Sequence, residues 1–396
     1  MKNKHIKDGR YLDHSYLPPE LPGREKQIEE LTEHLCDCDV KSRNAIIIGD
    51  RGTGKTAVSR KVCINTIPSI LQSKGLKAMG VLINCKQSNT RFQVYQNILF
   101  HLTEEHYTNK TEHGARMYLL SLLKNLDCII IVLDEADMLK SDHQNDLLYD
   151  LSRFQEQGLT DCRISVVAIS NNAYFINSLD SKTRSSLCQA EFVFEPYNAH
   201  ELESILQQRA LLSLYETSYK PFILKRIAAI AAQEEGDARY AIWLLSQAAE
   251  IAGRRDQDVI TIDCVDNARS AVEEERIRRV VESLVFQKKL VLMGCITAVE
   301  KNNGRGLPTT GDVYTYYQHI CRGYGKEPVT DRRIIDFISD LDMMGIIKKN
   351  LVSRGRYGRT HEISIQVPLS VLKEVLSGEQ TSHTKNVQQA TLFKED

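Results

Sequence analysis

The stretch Gly49-Asp-Arg-Gly-Thr-Gly-Lys-Thr56 constrains the fold of this chain more than any other feature. It matches the pattern GxxxxGK[ST] and lies between an apolar run and a helix-length amphipathic segment. Its glycines let backbone amides converge on phosphate, the lysine reaches the β and γ phosphates, and the threonine hydroxyl binds Mg²⁺. We therefore predict a binding loop for ATP or ADP. Its residues are Gly49, Asp50, Arg51, Gly52, Thr53, Gly54, Lys55, Thr56 and Ala57.

Five short apolar runs predict the strands of a parallel sheet buried on both faces. They are rich in Ile and Val, lack polar alternation, and are separated by enough chain for a helix. This pattern is typical of a doubly wound α/β domain, which we place at residues 21–197. The runs are Ala45 to Ile48, Met79 to Asn84, Cys128 to Leu133, Ile164 to Ile169 and Glu191 to Phe194.

Polar residues follow two of these strands. Asp134 and Glu135 come directly after the third run, and Asn171 follows the fourth. With a phosphate loop upstream, Asp134 is predicted to bind Mg²⁺ together with Thr56, and Glu135 to polarise the attacking water. The Asn171 amide would orient that water, although a turn-forming Asn has the same appearance. No CxxC or HExxH spacing predicts any further metal site.

The second half of the chain changes from strands to helices. We predict a helical lid at residues 198–285, in which Asp237 to Ala252 carries one apolar stripe. Residues 286–376 read as three helices, a strand pair around Ser353 to Arg359 and a last short helix, which is typical of a winged helix-turn-helix. Residues 1–20 are predicted as an N-terminal tail and residues 377–396 as a polar tail.

Charge separates the two halves. Residues 276–396 carry 19 Lys and Arg against 13 Asp and Glu, whereas residues 1–275 carry 32 against 39. The imbalance indicates different partners, or only a solvated surface. Arg332 and Arg333 occupy the first turn of the predicted recognition helix, and Arg354, Arg356 and Arg359 form a basic wing, so all five are predicted DNA contacts. A winged helix that docks protein is the alternative.

Together these motifs resemble the AAA+ ATPases, and more narrowly the archaeal replication initiators related to origin-recognition complex subunit one and the cell-division-cycle loader protein. The phosphate loop, the Asp134-Glu135 pair and Asn171 are similar to that family. Four further stretches are similar to it as well: Leu21 to Glu25, Leu179 to Leu187, Gly236-Asp-Ala-Arg239 and Gly355 to Arg359.

The resemblance implies roles for individual residues. Asn171 matches the sensor-1 position, Arg239 the sensor-2 arginine that reaches the γ phosphate, and Arg184 the arginine finger offered to a neighbouring subunit. Lys86 and Arg91 lie where these initiators carry an extra helical motif that touches DNA, and an ordinary exposed helix is the alternative. The implied function is an ATP-regulated initiator that hydrolyses ATP slowly as a switch, binds duplex origin DNA, self-associates on it and helps to load the replicative helicase.

Two other functions stay open, an ATP-controlled transcription regulator and a clamp-loader subunit. The end of the chain, Gln389 to Asp396, is similar to the start of a sliding-clamp-binding peptide, and a plain polar tail is the alternative. The longest apolar run has six residues, Cys128 to Leu133, and no signal segment is visible, so we expect a cytoplasmic protein without membrane contact.

Overall fold

A five-stranded parallel sheet organises the first part of the molecule. The computed structural model describes residues 3–108, 111–155, 157–302, 306–353 and 359–377. The strand order is β2-β3-β4-β1-β5, and each predicted strand is confirmed to within one residue at either end. The strands are β1 Ala45–Gly49, β2 Ala78–Asn84, β3 Cys128–Asp134, β4 Arg163–Ser170 and β5 Glu191–Phe194.

Helices cover both faces of this sheet, as expected for a doubly wound domain. One face packs against α1 Glu25–Leu35, α2 Lys55–Ser59 and α3 Ile67–Ser73, with a π-helical stretch, Arg60–Thr66, joining the last two. The other face packs against α4 Arg91–Thr103, α5 Glu112–Leu123 and α6 Ser141–Arg153. Two short helices, α7 Phe175–Ser178 and α8 Ser181–Leu187, precede β5.

One strand departs from the prediction of burial on both faces. β5 pairs only with β1 and forms an edge of the sheet. Its Val193 is 58% exposed, whereas Phe194 on the opposite face is buried. An edge strand with one covered face keeps alternating exposure, and β5 follows that pattern.

The lid is helical, as predicted. It contains α9 Ala199–Ser213, α10 Pro221–Gln233 and α11 Ala238–Arg254, and leads into α12 Ile262–Ser283. The predicted apolar stripe of α11 is confirmed, because Ile242, Leu245, Ala249 and Ala252 are all buried. Residues 3–20, predicted as a tail, form a 3-10 turn at Gly9–Leu12 and contact the lid.

The chain divides into two compact units, Met1–Asp266 and Asn267–Asp396. Residues 267–285 therefore belong to the second unit, although we predicted them as part of the lid. The physical reason is that the last turns of α12 bury Val281 in the second core. No helix among the described residues is both long and apolar enough to span a membrane.

The second unit is the predicted winged helix. It comprises α13 Phe286–Lys301, α14 Thr310–Gly323, α15 Asp331–Met343, an antiparallel pair of strands, and α16 at residues 369–377. The strands are β6 Ile347–Ser353 and β7 Arg359–Ile365, which pair from Ile347 with Ile365 to Ser353 with Arg359. Leu290, Tyr317 and Ile338 lie in one core with Leu341 and Ile363.

Candidate nucleotide site and DNA-binding residues

The phosphate loop takes the shape that its glycines allow. Gly52 and Gly54 have φ values of +73° and +86°, a region that side chains rarely adopt. A Cβ on Gly52 would overlap the carboxylate of Asp237, and a Cβ on Gly54 would lie 2.5 Å from the Tyr197 hydroxyl. The loop therefore needs glycine for its turn and also for the close approach of residues that come after β5 in the chain.

Lys55 lies inside this loop rather than on the surface. Its side chain is buried, and its ammonium donates to the carbonyl oxygens of Gly49 at 2.7 Å and Asp50 at 2.6 Å. Burial lowers the pKa of Lys55 to about 8, against the opposing attraction of Asp134. The ammonium is thus held where phosphate oxygens would replace carbonyl oxygens as acceptors.

Thr56 and Asp134 meet at the end of β3. The Thr56 hydroxyl donates to the Asp134 carboxylate at 2.9 Å, and burial raises the pKa of that carboxyl group. A hydroxyl and a carboxylate side by side are oxygen ligands of the kind that Mg²⁺ prefers beside phosphates. The residues present therefore fit the metal that the motif implies.

Glu135 has an unusual backbone conformation for a non-glycine residue, with φ +54°. Its backbone amide donates to Asp134 at 3.0 Å, and its carboxylate lies 3.5 Å from the amide nitrogen of Asn84 at the end of β2. Sequence reasoning missed Asn84 as a site residue. Its position at the carboxyl end of a strand next to β3 was the available signal.

These residues line one cleft of about 620 Å³. It brings together the predicted Arg51 to Ala57 stretch, Asp134, Glu135, Asn171 and Arg239. The neighbouring Asn172 instead accepts a bond from the Tyr174 amide in a turn, which separates its role from that of Asn171. An apolar part of the same cleft is lined by Tyr16, Pro18, Leu21, Pro22, Ile205 and Ile242. Since the phosphate loop would bind the phosphates of a nucleotide, the apolar part of the cleft suits its base and ribose.

Arg239 enters the cleft from the first turn of α11. Asp237 caps this helix by accepting from the Arg239 and Tyr240 amides, and it lies 3.5 Å from the half-exposed Arg239 guanidinium. The amide of Ala238 donates to the Gly52 carbonyl at 3.2 Å. The lid helix therefore begins directly on the phosphate loop.

Arg24 supports the loop from behind and was not predicted as a site residue. It is 2% exposed and donates to the carbonyl oxygens of Thr53 at 2.8 Å and Glu195 at 2.6 Å. Its guanidinium also lies 3.6 Å from the centre of the Tyr197 ring. Arg24 thus joins the loop to the end of β5, a contact between residues far apart in sequence.

The remaining predicted catalytic residue, Arg184, is exposed on α8 and donates to the Leu179 carbonyl at 3.2 Å. Within the described part of the chain, the residues that line the cleft do not include it. Its role as a finger for a neighbouring subunit stays a prediction.

The two DNA contacts predicted in the α/β domain are placed differently from our expectation. The Arg91 side chain is only 19% exposed and forms ion pairs with Glu112, Asp146 and Asp150. Three carboxylates from α5 and α6 neutralise this guanidinium, and its contact with DNA stays a prediction. Lys86 is exposed, but it lines the nucleotide cleft.

In the winged helix, Arg332 and Arg333 are exposed on the first turn of α15, where the sequence placed them. The Arg333 guanidinium lies 5.5 Å from the centre of the Phe337 ring. Thr330 is at the N-cap position of α15, but its side chain makes no capping hydrogen bond. Arg354 and Arg356 lie outside the described residues, and only the backbone of Arg359 is described, as the first residue of β7.

One acidic side chain on α15, the helix that carries Arg332 and Arg333, has its charge balanced by a lysine. Asp340 forms an ion pair with Lys288 at 2.7 Å, while Asp336 is exposed on the same helix. Among the described residues, no ion pair is formed by Asp336, which lies three positions after Arg333 on this helix.

Comparison with known proteins covers nearly the whole chain. Models of three families match: an AAA domain at residues 39–172, the Cdc6 AAA+ ATPase-type lid domain at 203–270, and the CDC6 C-terminal winged helix domain at 279–375. The chain is 40% identical over 357 residues to the ORC1-type DNA replication protein 1 of Sulfurisphaera tokodaii, covering 89% of this chain and 88% of that protein.

The corresponding protein of Sulfolobus acidocaldarius is 38% identical over 362 residues, covering 90% of this chain and 89% of the relative. Among solved structures, that of the Aeropyrum pernix ORC1 protein in complex with DNA is 33% identical and superimposes with a TM-score of 0.69. That superposition covers 96% of this chain and 98% of the ORC1 chain.

Proposed function

Because this chain belongs to the Orc1/Cdc6 family of archaeal DNA replication initiators, we propose that it binds duplex DNA at replication origins under the control of ATP. The observation that carries the proposal is the start of α11 on the phosphate loop, which places Arg239 in the same cleft as Lys55 and Glu135. A contact made there distinguishes a triphosphate from a diphosphate.

The proposed response of the lid to ATP rather than ADP depends on the charges around Arg239. Its guanidinium is half exposed and lies 3.5 Å from the Asp237 carboxylate, which is its ion-pair partner. A γ phosphate carries more negative charge than a carboxylate and draws the guanidinium away from Asp237. ADP offers no such group, so the lid helix responds to ATP and much less to ADP.

Hydrolysis would reset this state. Glu135 polarises the attacking water and Asn171 orients it, since both line the same cleft. Thr56 and Asp134 would hold Mg²⁺, which when bound neutralises charge on the phosphates. Arg184 would be supplied to the cleft of a second copy on DNA, which makes turnover slow in the isolated chain.

The proposed DNA surface lies on the second unit. It consists of Arg332 and Arg333 on α15 and the wing arginines Arg354, Arg356 and Arg359. The similarity to an ORC1 protein solved with DNA supports this assignment. We propose two further partners on the sequence resemblance alone. They are the replicative helicase, which this chain would recruit, and a sliding clamp, which residues 389–396 would bind.

The alternatives differ in the domain that comes after the lid and in the DNA that is selected. A clamp-loader subunit carries a helical collar, whereas the second unit here is a winged helix. A transcription regulator would share every feature of the cleft but would select promoters.

Footprinting on total genomic DNA with Mg-ATP or Mg-ADP tests the proposal. We expect protection at a few replication origins, stronger with ATP. Arg239→Ala should give the same footprint with both nucleotides, and its ATP to ADP affinity ratio should fall about fivefold, from the loss of roughly 1 kcal/mol. Arg254→Ala, at the exposed far end of the same helix, is the matched control. Protection mainly at promoters would favour the regulator, and an unchanged affinity ratio would rule out the switch.

A further inference from the structure

The residues before α1 form a strap over the lid, which we call the N-terminal strap (residues 3–22). The strap begins on α11, where the Asn3 side chain donates to the Ala249 carbonyl at 3.0 Å. Ile6 then pairs with Leu214 in an antiparallel bridge, and the Lys7 amide donates to the Ser213 carbonyl at 2.8 Å. The strap is therefore attached to α9 and α11 by backbone and side-chain contacts.

The later residues of the strap form part of the nucleotide cleft. His14, Tyr16 and Pro18 line it, facing a lining that also includes Ile205 and Ile242 of the lid. Tyr16 and Pro18 belong to the apolar part of the cleft, which suits the base and ribose. The strap thus contributes to the end of the site that does not hold phosphate.

One buried arginine holds this part of the strap in place. Arg209 on α9 is 5% exposed, and its two terminal nitrogens donate to the carbonyl oxygens of Tyr11 at 3.0 Å and Tyr16 at 2.9 Å. Its guanidinium lies 4.9 Å from the centre of the Tyr16 ring, which packs edge-on against Tyr11. One side chain therefore fixes two points of the strap that are five residues apart.

Burying the charged Arg209 side chain is unfavourable for the free energy of folding. Burial lowers the pKa of Arg209, and its Nε has no hydrogen-bond partner. Among the described residues, no carboxylate lies within ion-pair distance of its guanidinium. A buried charge without a carboxylate is unfavourable for folding compared with an apolar side chain of similar size. Arg209 is also one of the residues that line the nucleotide cleft, so its bonds to the strap are made at the site itself.

We propose that Arg209 is a positioning residue that holds residues 11–16 as a wall over the base end of the nucleotide site, and so sets how long a nucleotide stays bound. The inference rests on the proposed function, because it requires that the cleft binds ATP and ADP. It differs from the role of Arg239, since the base is common to both nucleotides. Loss of the wall weakens both equally and spares ligands without a base.

Titration of the full chain with Mg-ATP, Mg-ADP and Mg-tripolyphosphate tests this assignment. Arg209→Met keeps the side-chain volume but loses both donors. We expect about tenfold weaker binding of ATP and ADP alike, with faster dissociation, from the loss of two charge-assisted hydrogen bonds. Tripolyphosphate affinity should be unchanged. Arg209→Lys keeps the charge and can reach one carbonyl, so it should restore part of the loss.

Two controls keep the outcomes separate. Arg226→Met removes an ion pair with Asp266 elsewhere in the lid and should change no affinity. Deletion of residues 2–16 removes the wall itself and leaves Arg209 in place, so it should reproduce the loss of ATP and ADP affinity. It serves as the test if Arg209→Met does not fold.

Unchanged affinity for ATP and ADP, in either variant, overturns the proposal. A parallel loss of tripolyphosphate affinity also overturns it, because Arg209 would then support the whole domain. Failure of the folded wild-type chain to bind ATP would instead refute the proposed function, and this inference with it.

Discussion

The nucleotide cleft and the first turn of α15 both offer cations for phosphate, but they hold those cations differently. Lys55 is 5% exposed and bonded to two carbonyl oxygens of its own loop. Arg332 and Arg333 are exposed, and in the described part of the chain neither has a carboxylate within ion-pair distance. An enclosed cation binds only a ligand that fits its loop. Exposed cations each add a small contribution to the binding of a polyanion such as DNA, and salt weakens these contributions.

This difference predicts the size of each effect. A substitution in the cleft should weaken nucleotide binding and leave binding to duplex DNA in the absence of nucleotide intact. A substitution on α15 should change DNA binding by degrees and leave nucleotide affinity unchanged. The two sites can therefore be compared within the full chain.

The largest effect is expected from Lys55→Ala, which should weaken ATP binding by about a hundredfold, because charge-assisted contacts to phosphate contribute about 3 kcal/mol. Glu135→Gln is the matched variant. It should bind ATP with nearly wild-type affinity and lose hydrolysis, since only the polarisation of water changes. Calorimetric titration and phosphate release measure the two properties. Equal ATP affinity in Lys55→Ala and the wild type would contradict the assignment of the loop.

Much of the cleft could be predicted because its signals are local in sequence. The phosphate loop, Asp134-Glu135 and Asn171 each come after a strand that is recognisable from its apolar run, and parallel strands end at one edge of the sheet. Because the strands were predicted correctly, the positions of these side chains at one edge of the sheet followed, and all of them line the same cleft.

The features that could not be predicted depend on contacts between distant residues. Arg24 reaches a carbonyl 171 positions away, and Arg209 reaches one 198 positions away. The surroundings of Arg91 could not be predicted for the same reason, because Asp150, 59 positions away, is among the acids that pair with it. No spacing or periodicity in the sequence reports such pairs.

The second effect concerns the exposed cations. Replacing both Arg332 and Arg333 by alanine should weaken binding to the preferred duplex by about thirtyfold, because each arginine that reads a base edge contributes roughly 1 kcal/mol. Binding to a scrambled duplex should change much less, so the specificity ratio falls. Arg278→Ala is the matched control, because this arginine is ion-paired with Glu374 in the same unit.

Fluorescence anisotropy on origin and scrambled duplexes at several salt concentrations measures both the affinity and its salt dependence. If the two arginines contact only phosphates, both duplexes lose affinity equally and the log-log salt slope falls by about 0.9 per contact. Unchanged binding on both duplexes would favour a winged helix that docks protein.

The smallest expected effect is a change of ATP affinity with pH, which should not occur for DNA affinity. Burial lowers the pKa of Lys55 to about 8, from 10.5, and only the protonated ammonium attracts phosphate. The protonated fraction, and with it ATP affinity, should therefore fall about tenfold between pH 7 and pH 9. Arginines stay protonated throughout this interval, so DNA affinity measured without nucleotide should be constant. Lys55→Arg should bind ATP with no pH dependence in the same range, whatever its affinity. A parallel decline of ATP and DNA binding would show that the pH effect comes from the protein as a whole, and the contrast between an enclosed and an exposed cation would then lose its basis.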